Sequence, residues 1–283
     1  RRRRRAHLRA VVAGSRPMAV PAVVYLAVNL ISYPALERIN ASVFTAISQK
    51  VLATAFFAVL MLGTPISGRK WRTLTVMVLG VTLVSWESAP DADGLTKSGG
   101  DVIAWDYAVG IACAGVQTAL SGFGSIYFEM MLKRGVGGVG TGVGGERGAE
   151  TFSVWDRNIQ LAMYSIAIYL PMAFLDVGGA NILEGWTPLV WGIACLHASG
   201  GVLVALSVLH SSSVTKTVAV CASLVLTTVM GNALFDAPLN GAIGLGCAVV
   251  VIAVFGYRDD CDVEEELRRL RRLAEGGPGF HRS

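Results

Sequence analysis

Long runs of apolar residues, separated by short polar connections, dominate the chain. We predict eight membrane-spanning helices from these runs, since each is close to the roughly 20 residues that cross a bilayer. Their bounds are 17–36, 41–63, 71–88, 104–132, 153–176, 186–209, 213–234 and 239–257. The runs are too long for strands and lack a two-residue alternation. The pattern therefore predicts an all-α polytopic membrane protein.

Three polar segments complete the predicted domain organisation around a transmembrane domain at 17–257. Residues 1–16 are a basic arm, 135–150 a glycine-rich connection and 258–283 a charged tail. The connection lacks the GxxxxGK[ST] pattern of a phosphate-binding loop, so we interpret it as a flexible loop. Within the tail, VEEELRRLRRL has the pattern of an amphipathic helix, which either lies on the membrane surface or is solvated.

Composition and charge placement support this reading and add an orientation. The 283 residues are 53% hydrophobic and 16% charged, whereas soluble domains carry about 25% charged residues. The net charge of +4 does not indicate nucleic-acid binding. With the N-terminus in the cytosol, the opposite side holds only Arg38 and Lys97 among the basic residues outside the spans. This positive-inside asymmetry requires an even number of spans and places both termini of the chain in the cytosol.

Two lysines lie inside predicted spans where no acidic residue can pair with them. Lys50 is near the middle of the second span and Lys216 about one turn inside the seventh, and both spans lack Asp and Glu. A lysine at the centre of a membrane helix costs on the order of 2.5–3.5 kcal/mol. Each lysine therefore faces a water-filled cavity or an anionic ligand, or extends to the interface, an explanation that weighs more for Lys216. Arg157 is a third basic residue at a span.

The two lysines also occupy similar contexts. Lys50 opens KVLATAFFAVLMLG and Lys216 opens KTVAVCASLVLTTVMG, and each helix precedes an apolar helix that contains glycine. The predicted orientation makes the two spans run in opposite directions, which is typical of inverted repeats with a site at their interface. Two lysines approaching one site suit a phosphate or diphosphate, on which lysine acts as a point charge.

Other residues leave two readings open. The small-residue clusters SGFG at 121–124 and ASGG at 198–201 permit either close helix packing or access of a substrate to the backbone. Asn29 and Asn158 suit either interhelical hydrogen bonds or ligand contacts. The five cysteines form no CxxC pair and the four histidines are scattered, so we expect no metal, no cofactor and no enzyme activity.

Six segments together resemble the nucleotide-sugar transporter family, in its branch of CMP-sialic acid, UDP-galactose and UDP-N-acetylglucosamine carriers within the drug/metabolite transporter superfamily. They are PAVVYLAVN (21–29), KVLATAFFAVLMLG (50–63), WRTLTVMVLGVTLV (71–84), LSGFGSIYFEMMLK (120–133), SVWDRNIQL (153–161) and ASGGVLVALSVLHSSSVTK (198–216). The order and spacing of these segments carry the resemblance, which covers about residues 17–257.

The resemblance implies a ten-helix fold of two inverted five-helix repeats. The first span of this chain matches the third family helix, so eight spans correspond to a truncated sequence or a divergent member. It also implies a set of substrate-binding residues. They are Lys50 and Lys216 at the phosphates, Tyr25 and Asn29 near the nucleotide, Ser121 and Gly122 beside the base and ribose, Asn158 facing the substrate, and Gly200 and Gly201 giving close access. Leu30, Ser48 and Ser212–Ser213 depart from the family pattern near this site.

We therefore expect an antiporter that moves a nucleotide sugar from the cytosol into the Golgi or endoplasmic reticulum lumen in exchange for a nucleoside monophosphate. UDP-sugars are the favoured substrates, and CMP-sialic acid is a further candidate. A homodimer is one candidate for the oligomeric state, which the sequence leaves open. Three alternatives remain. They are a transporter of another phosphorylated metabolite, a membrane scaffold that does not transport, and a truncated fragment.

Overall fold

The computed structural model describes residues 2–39, 41–87, 100–136, 152–176, 186–236 and 239–275. All regular secondary structure within these ranges is helical. The ten helices are α1 (Arg2–Ala13), α2 (Arg16–Arg38), α3 (Ala41–Ile47), α4 (Val51–Leu62), α5 (Gly68–Glu87), α6 (Gly100–Val136), α7 (Val154–Asp176), α8 (Pro188–His210), α9 (Ser213–Phe235) and α10 (Gly241–Glu275).

The prediction of an all-α polytopic membrane protein is confirmed. Within the described ranges, seven segments are long and apolar enough to cross a membrane. The predicted span at 71–88 corresponds to α5, which lies outside these seven and begins with the basic sequence GRKWR. Large apolar side chains are widely exposed, for example Leu175 at 83% and Phe235 at 82%. A surface of this kind suits lipid rather than water.

The second predicted span is broken, whereas the sequence suggested one continuous helix at 41–63. Helix α3 ends at Ile47 and α4 begins at Val51, with Lys50 as the N-cap residue of α4. The hydroxyl of Thr118 in α6 donates to the carbonyl oxygen of Ile47 at 3.0 Å. The break is tolerated because a neighbouring helix supplies a partner to the freed backbone.

The predicted basic arm is helical and packs against α7. His7 Nε2 lies 3.0 Å from Asp156 Oδ1, and Gln160 Nε2 donates to the carbonyl oxygen of Val11 at 2.8 Å. The hydroxyls of Ser15 and Tyr164 are 3.1 Å apart. Polar contacts along its length therefore fix α1 to the bundle.

Parts of the two other predicted polar segments belong to helices. The first two residues of the glycine-rich connection belong to α6, and 137–150 lie outside the described residues. The sequence VEEELRRLRRL continues the last span without interruption, because α10 extends to Glu275.

Helices α4, α5, α9 and α10 share one apolar core, which includes Val51, Met77, Val218 and Val250 and also Ile126 of α6. A second core joins α2, α6, α7 and α8 around Met18, Leu132, Val154 and Val208. Helix α4 packs against α9 and α5 packs against α10. Two helices of the first predicted repeat, α4 and α5, thus contact their counterparts in the second.

Helices α5 and α10 form a long antiparallel seam, the α5–α10 seam. Lys70 Nζ donates to Glu264 Oε2 at 2.7 Å near one end, and Asn240 Nδ2 donates to Glu87 Oε2 at 3.0 Å at the other. Gly80 and Gly246 lie between these polar contacts and allow the two backbones to approach closely.

Candidate functional site

Both lysines lie at the start of a helix. Lys50 is the N-cap residue of α4, and Lys216 is in the first turn of α9. The two side chains are half-buried, and their charges are close enough to repel each other. Neither forms a salt bridge with a carboxylate in the part of the chain that the structure describes. Two cations without a direct salt bridge to a described carboxylate therefore lie on the neighbouring helices α4 and α9.

The helix starts add to this positive charge. The first backbone hydrogen bond of α4 runs from Thr54 N–H to the carbonyl oxygen of Lys50 at 2.8 Å. The N–H groups of the preceding turn have no partner within the helix. The N-terminus of a helix also carries a partial positive charge. The start of α4 thus adds to the positive charge of Lys50, which favours an anion such as phosphate. At α9 the first N–H donates instead to Glu129 at 2.7 Å.

The SGFG cluster contributes to helix packing next to Lys50. A methyl group on Gly122 would lie 2.9 Å from Cβ of Ala53 in α4, which is too close without a shift of the backbone. Ser121 is half-buried on the neighbouring position of α6, where its carbonyl oxygen accepts from the hydroxyl of Ser125 at 2.9 Å. Of the two readings of this cluster, Gly122 fits close packing.

The glycines of the ASGG cluster, in contrast, do not contact a neighbouring helix within the described residues. A methyl group on Gly200 or Gly201 would meet no described atom within 4 Å. Gly200 is half-buried and Gly201 is exposed on α8. Packing therefore does not account for this pair of glycines, and their backbone is open to an approaching molecule.

The predicted nucleotide-binding residues lie on α2 and α7. Asn29 Nδ2 donates to the hydroxyl of Tyr169 at 2.6 Å, at an open cleft of about 380 Å³ between the two helices. Tyr25 is half-buried one turn earlier, beside Gly124 of α6. Asn158 is half-buried, and its Nδ2 donates to the carbonyl oxygen of Val154 in its own helix at 2.9 Å. Two of the three residues thus face the α2–α6–α7 side of the bundle.

Arg157 is explained by local structure. Its Nη1 donates to Gln160 Oε1 at 3.0 Å, and its guanidinium lies 4.9 Å from the ring centre of Phe152. Gln160 in turn donates to α1, so two residues of the RNIQ sequence hold the first helix in place. Sequence reasoning singled out Asn158 from this motif and missed the contribution of Gln160.

Glu129 was also missed, although it lies within the YFE sequence used for the resemblance. It is only 2% exposed, and its carboxylate accepts hydrogen bonds from the Ser213 N–H and from Lys133. A buried carboxylate in an apolar span with a lysine four residues later was the available signal.

No group of three or more His, Cys, Asp or Glu side chains within the described residues could hold a metal ion. The predicted site residues offer instead ammonium groups, the start of α4, side-chain amides and open glycine backbone. The fold defines a polytopic membrane protein, in which two lysines lie at helix starts within the bundle.

Comparison with known proteins gives the family. A model described as "Nucleotide-sugar transporter" matches residues 5–258, and the chain belongs to that family. It is 33% identical over 245 residues to the UDP-galactose translocator of Mus musculus, an alignment that covers 85% of this chain and 57% of the relative.

Two further relatives carry related names. Identity to the UDP-N-acetylglucosamine/UDP-N-acetylgalactosamine transporter nstp-4 of Caenorhabditis elegans is 30%, with 87% of this chain and 69% of the relative covered. Identity to the UDP-N-acetylglucosamine transporter of Rattus norvegicus is 28%, with 86% and 71% covered. The chain spans about 57% of the length of the UDP-galactose translocators it matches.

Proposed function

We propose that this protein carries a nucleotide sugar across a membrane in exchange for a nucleoside monophosphate. The observation that supports the proposal is the placement of Lys50 and Lys216 at the starts of two packed helices, α4 and α9, with no salt bridge to a carboxylate among the described residues. Phosphate groups are the part common to both exchanged ligands, and they match two ammonium groups in charge.

The repulsion between the two lysines explains why transport would be coupled as exchange. An empty site holds two like charges in a poorly solvated place, so its passage through an occluded state is unfavourable. A bound phosphate lowers that barrier because it neutralises both ammonium groups. The loaded carrier then changes conformation more readily than the empty one, whichever anion it holds.

The remaining predicted residues would select the nucleotide and sugar. Tyr25 and Asn29 on α2 and Ser121 on α6 are available for the base and ribose, with Gly122 bringing α6 close to α4. Asn158 is available after release of its intrahelical hydrogen bond. The open backbone at Gly200 and Gly201 allows a sugar to approach α8.

We favour UDP-sugars as substrates, because the relatives are named for UDP-galactose and UDP-N-acetylglucosamine. CMP-sialic acid stays a candidate from the resemblance of the site residues. The positive-inside asymmetry supports cytosolic termini. With the family membership it supports a place in the Golgi or endoplasmic reticulum membrane and transport from the cytosol to the lumen.

The test is exchange in proteoliposomes loaded with UMP or CMP. Labelled UDP-galactose, UDP-N-acetylglucosamine and CMP-sialic acid are offered outside, and uptake is compared with empty vesicles. We expect uptake that requires internal nucleotide and is lost in Lys50→Ala and Lys216→Ala. Arg69→Ala is the matched control, because Arg69 is an exposed cation at the start of α5.

Uptake of one labelled substrate names the preferred base and sugar. Uptake that survives loss of both lysines contradicts their role at the phosphates. Absence of uptake under every loading condition overturns the transport proposal and favours a membrane scaffold.

A further inference from the structure

One face of α6 runs past the starts of both lysine-bearing helices. Thr118, Gly122, Ser125, Glu129 and Lys133 follow one another at intervals of four, three, four and four residues. Residues at this spacing lie on one side of an α-helix. We refer to these five residues as the α6 stripe.

The first part of the α6 stripe holds the break before α4. Thr118 donates to the carbonyl oxygen of Ile47, the last residue of α3, at 3.0 Å. Gly122 lets α6 approach so closely that an added methyl group would lie 3.1 Å from the backbone nitrogen of Thr54. Lys50 lies between these two contacts in the sequence, so the contacts fix the helix start that bears it.

The second part of the stripe holds the junction between α8 and α9. The Ser213 hydroxyl donates to the carbonyl oxygen of Ser125 at 3.1 Å, and the Ser213 N–H donates to Glu129 Oε2 at 2.7 Å. Lys133 Nζ donates to the carbonyl oxygen of Ser211 at 2.7 Å and also pairs with Glu129. Three hydrogen bonds therefore tie the first residue of α9 and the residues before it to α6.

Glu129 is the centre of this second group. Its residue is 2% exposed, so the carboxylate depends on protein partners rather than water. It receives one N–H at the positive end of α9 and one ammonium, which together compensate for its burial. Its charge also attracts Lys216, although the two side chains form no direct salt bridge.

We infer that Glu129 is a positioning residue for Lys216, and that through it the α6 stripe sets the separation of Lys216 from Lys50. Ser213 precedes Lys216 by three residues, or about one turn, so a shift of Ser213 moves the ammonium group with it. This inference rests on the proposed function, because it assigns to Glu129 an indirect effect on phosphate binding.

A merely structural role for Glu129 makes a different prediction. Loss of general stability would affect every ligand and every part of the site alike. Loss of positioning would affect the phosphate through Lys216 and leave the nucleoside contacts unchanged. The useful variant is Glu129→Gln, which keeps the size of the side chain but replaces the charge-assisted hydrogen bonds to Ser213 N–H and Lys133 with weaker neutral ones, so the junction loosens without a cavity.

The experiment measures binding of UMP and of uridine to the full chain in lipid nanodiscs. We expect Glu129→Gln to weaken UMP binding about tenfold, the factor for one charged hydrogen-bond contact. Uridine binding should be unchanged. Glu264→Gln is the matched control, because it removes a carboxylate that pairs with Lys70 at 2.7 Å in the α5–α10 seam. The control should bind UMP normally.

A double-mutant cycle with Lys216→Ala gives the decisive comparison. If Glu129 acts through Lys216, then Glu129→Gln adds nothing to the loss caused by Lys216→Ala. Equal weakening of UMP and uridine, or losses that multiply in the double variant, would overturn the inference while leaving the proposed function intact. If the unmodified chain binds neither UMP nor UDP-galactose, both fail.

A second variant covers the case in which Glu129→Gln does not fold. Ser213→Ala removes only the hydroxyl bond to Ser125 and keeps the N–H bond to Glu129. We expect a smaller loss of UMP affinity with unchanged uridine binding, again absent in the Lys216→Ala background. Full retention of UMP affinity in Ser213→Ala would contradict the positioning role of this junction.

Discussion

Gly80 and Gly246 contact each other reciprocally where α5 crosses α10. A methyl group on Gly80 would lie 3.1 Å from the carbonyl oxygen of Gly246, and one on Gly246 would lie 3.1 Å from the carbonyl oxygen of Gly80. Reciprocal contacts of this kind are expected on a two-fold axis. The pair therefore supports the inverted-repeat arrangement that the sequence suggested.

This contact predicts the effect of alanine substitutions. Gly80→Ala places its new methyl group 2.9 Å from Val250, and Gly246→Ala places one 2.7 Å from Val84. We expect each to destabilise the protein by about 1–3 kcal/mol, the usual cost of overpacking. The measurement is the thermal unfolding midpoint in detergent. Gly244→Ala is the control on the same helix, since a methyl group there meets nothing within 4 Å, and its midpoint should not fall.

The lysine pair predicts a charge-specific loss of affinity. Lys50→Gln and Lys216→Gln remove one cation each, and we expect UMP binding to weaken by roughly 10- to 150-fold, corresponding to about 1.5–3 kcal/mol for a charged hydrogen bond. Lys50→Arg and Lys216→Arg keep the charge and should lose less. Isothermal titration calorimetry would measure this. Equal losses in the Gln and Arg variants would contradict a charge-based role.

We expect the side chain of Gln160 to hold α1 against α7. Its side chain is fully buried and donates to the carbonyl oxygen of Val11, so Gln160→Ala leaves that acceptor without its partner. We expect about 1–3 kcal/mol of destabilisation, concentrated at α1. Hydrogen exchange of residues 2–13 should become faster in the variant. Thr75→Ala is the control, because its hydroxyl bonds only the Trp71 carbonyl of its own helix at an exposed position.

Faster exchange spread evenly over all helices of the Gln160→Ala variant would mean that Gln160 stabilises the whole bundle. If α1 exchanges no faster in Gln160→Ala than in the Thr75→Ala control, then other contacts of α1, such as His7 with Asp156, hold the helix.

A larger side chain at the α8 glycines should reduce transport without lowering the stability of the protein. Gly200→Val adds a side chain where its first carbon meets nothing within 4 Å, so the unfolding midpoint should stay the same. If the sugar approaches this backbone, exchange should fall by roughly tenfold or more. Gly192→Val is the matched control on the same helix, also at an open position. Unchanged exchange in Gly200→Val would remove Gly200 from the proposed site.

The apolar pattern was enough to predict the helices but not the break at 48–50. Hydropathy reports whether a segment prefers lipid, and the residues on both sides of Ser48 do. The break depends on a partner from another helix, the hydroxyl of Thr118, which is 71 residues away in the chain. A sequence pattern confined to the span contains no record of that partner.

Sequence alone could predict those site residues whose charge is costly to bury in a membrane helix. Lys50 and Lys216 stood out because a cation in an apolar helix needs an explanation. Glycines carry no such signal. The sequence therefore cannot distinguish Gly122, which packs against α4, from Gly200, which lies at an open surface. Glu129 was missed because its long-range partner is a backbone N–H at the start of α9, which no pattern within α6 reveals.

The α5–α10 seam restricts how the two halves of the bundle can move. Its polar contacts at Lys70 and Glu87 are 17 residues apart on α5, or about 26 Å, close to the thickness of the bilayer core. Sliding along the seam would break both contacts and the Gly80–Gly246 fit together. Rotation of the rest of the bundle about the long axis of the seam keeps all three, so we expect the seam to serve as the hinge of the proposed transport cycle.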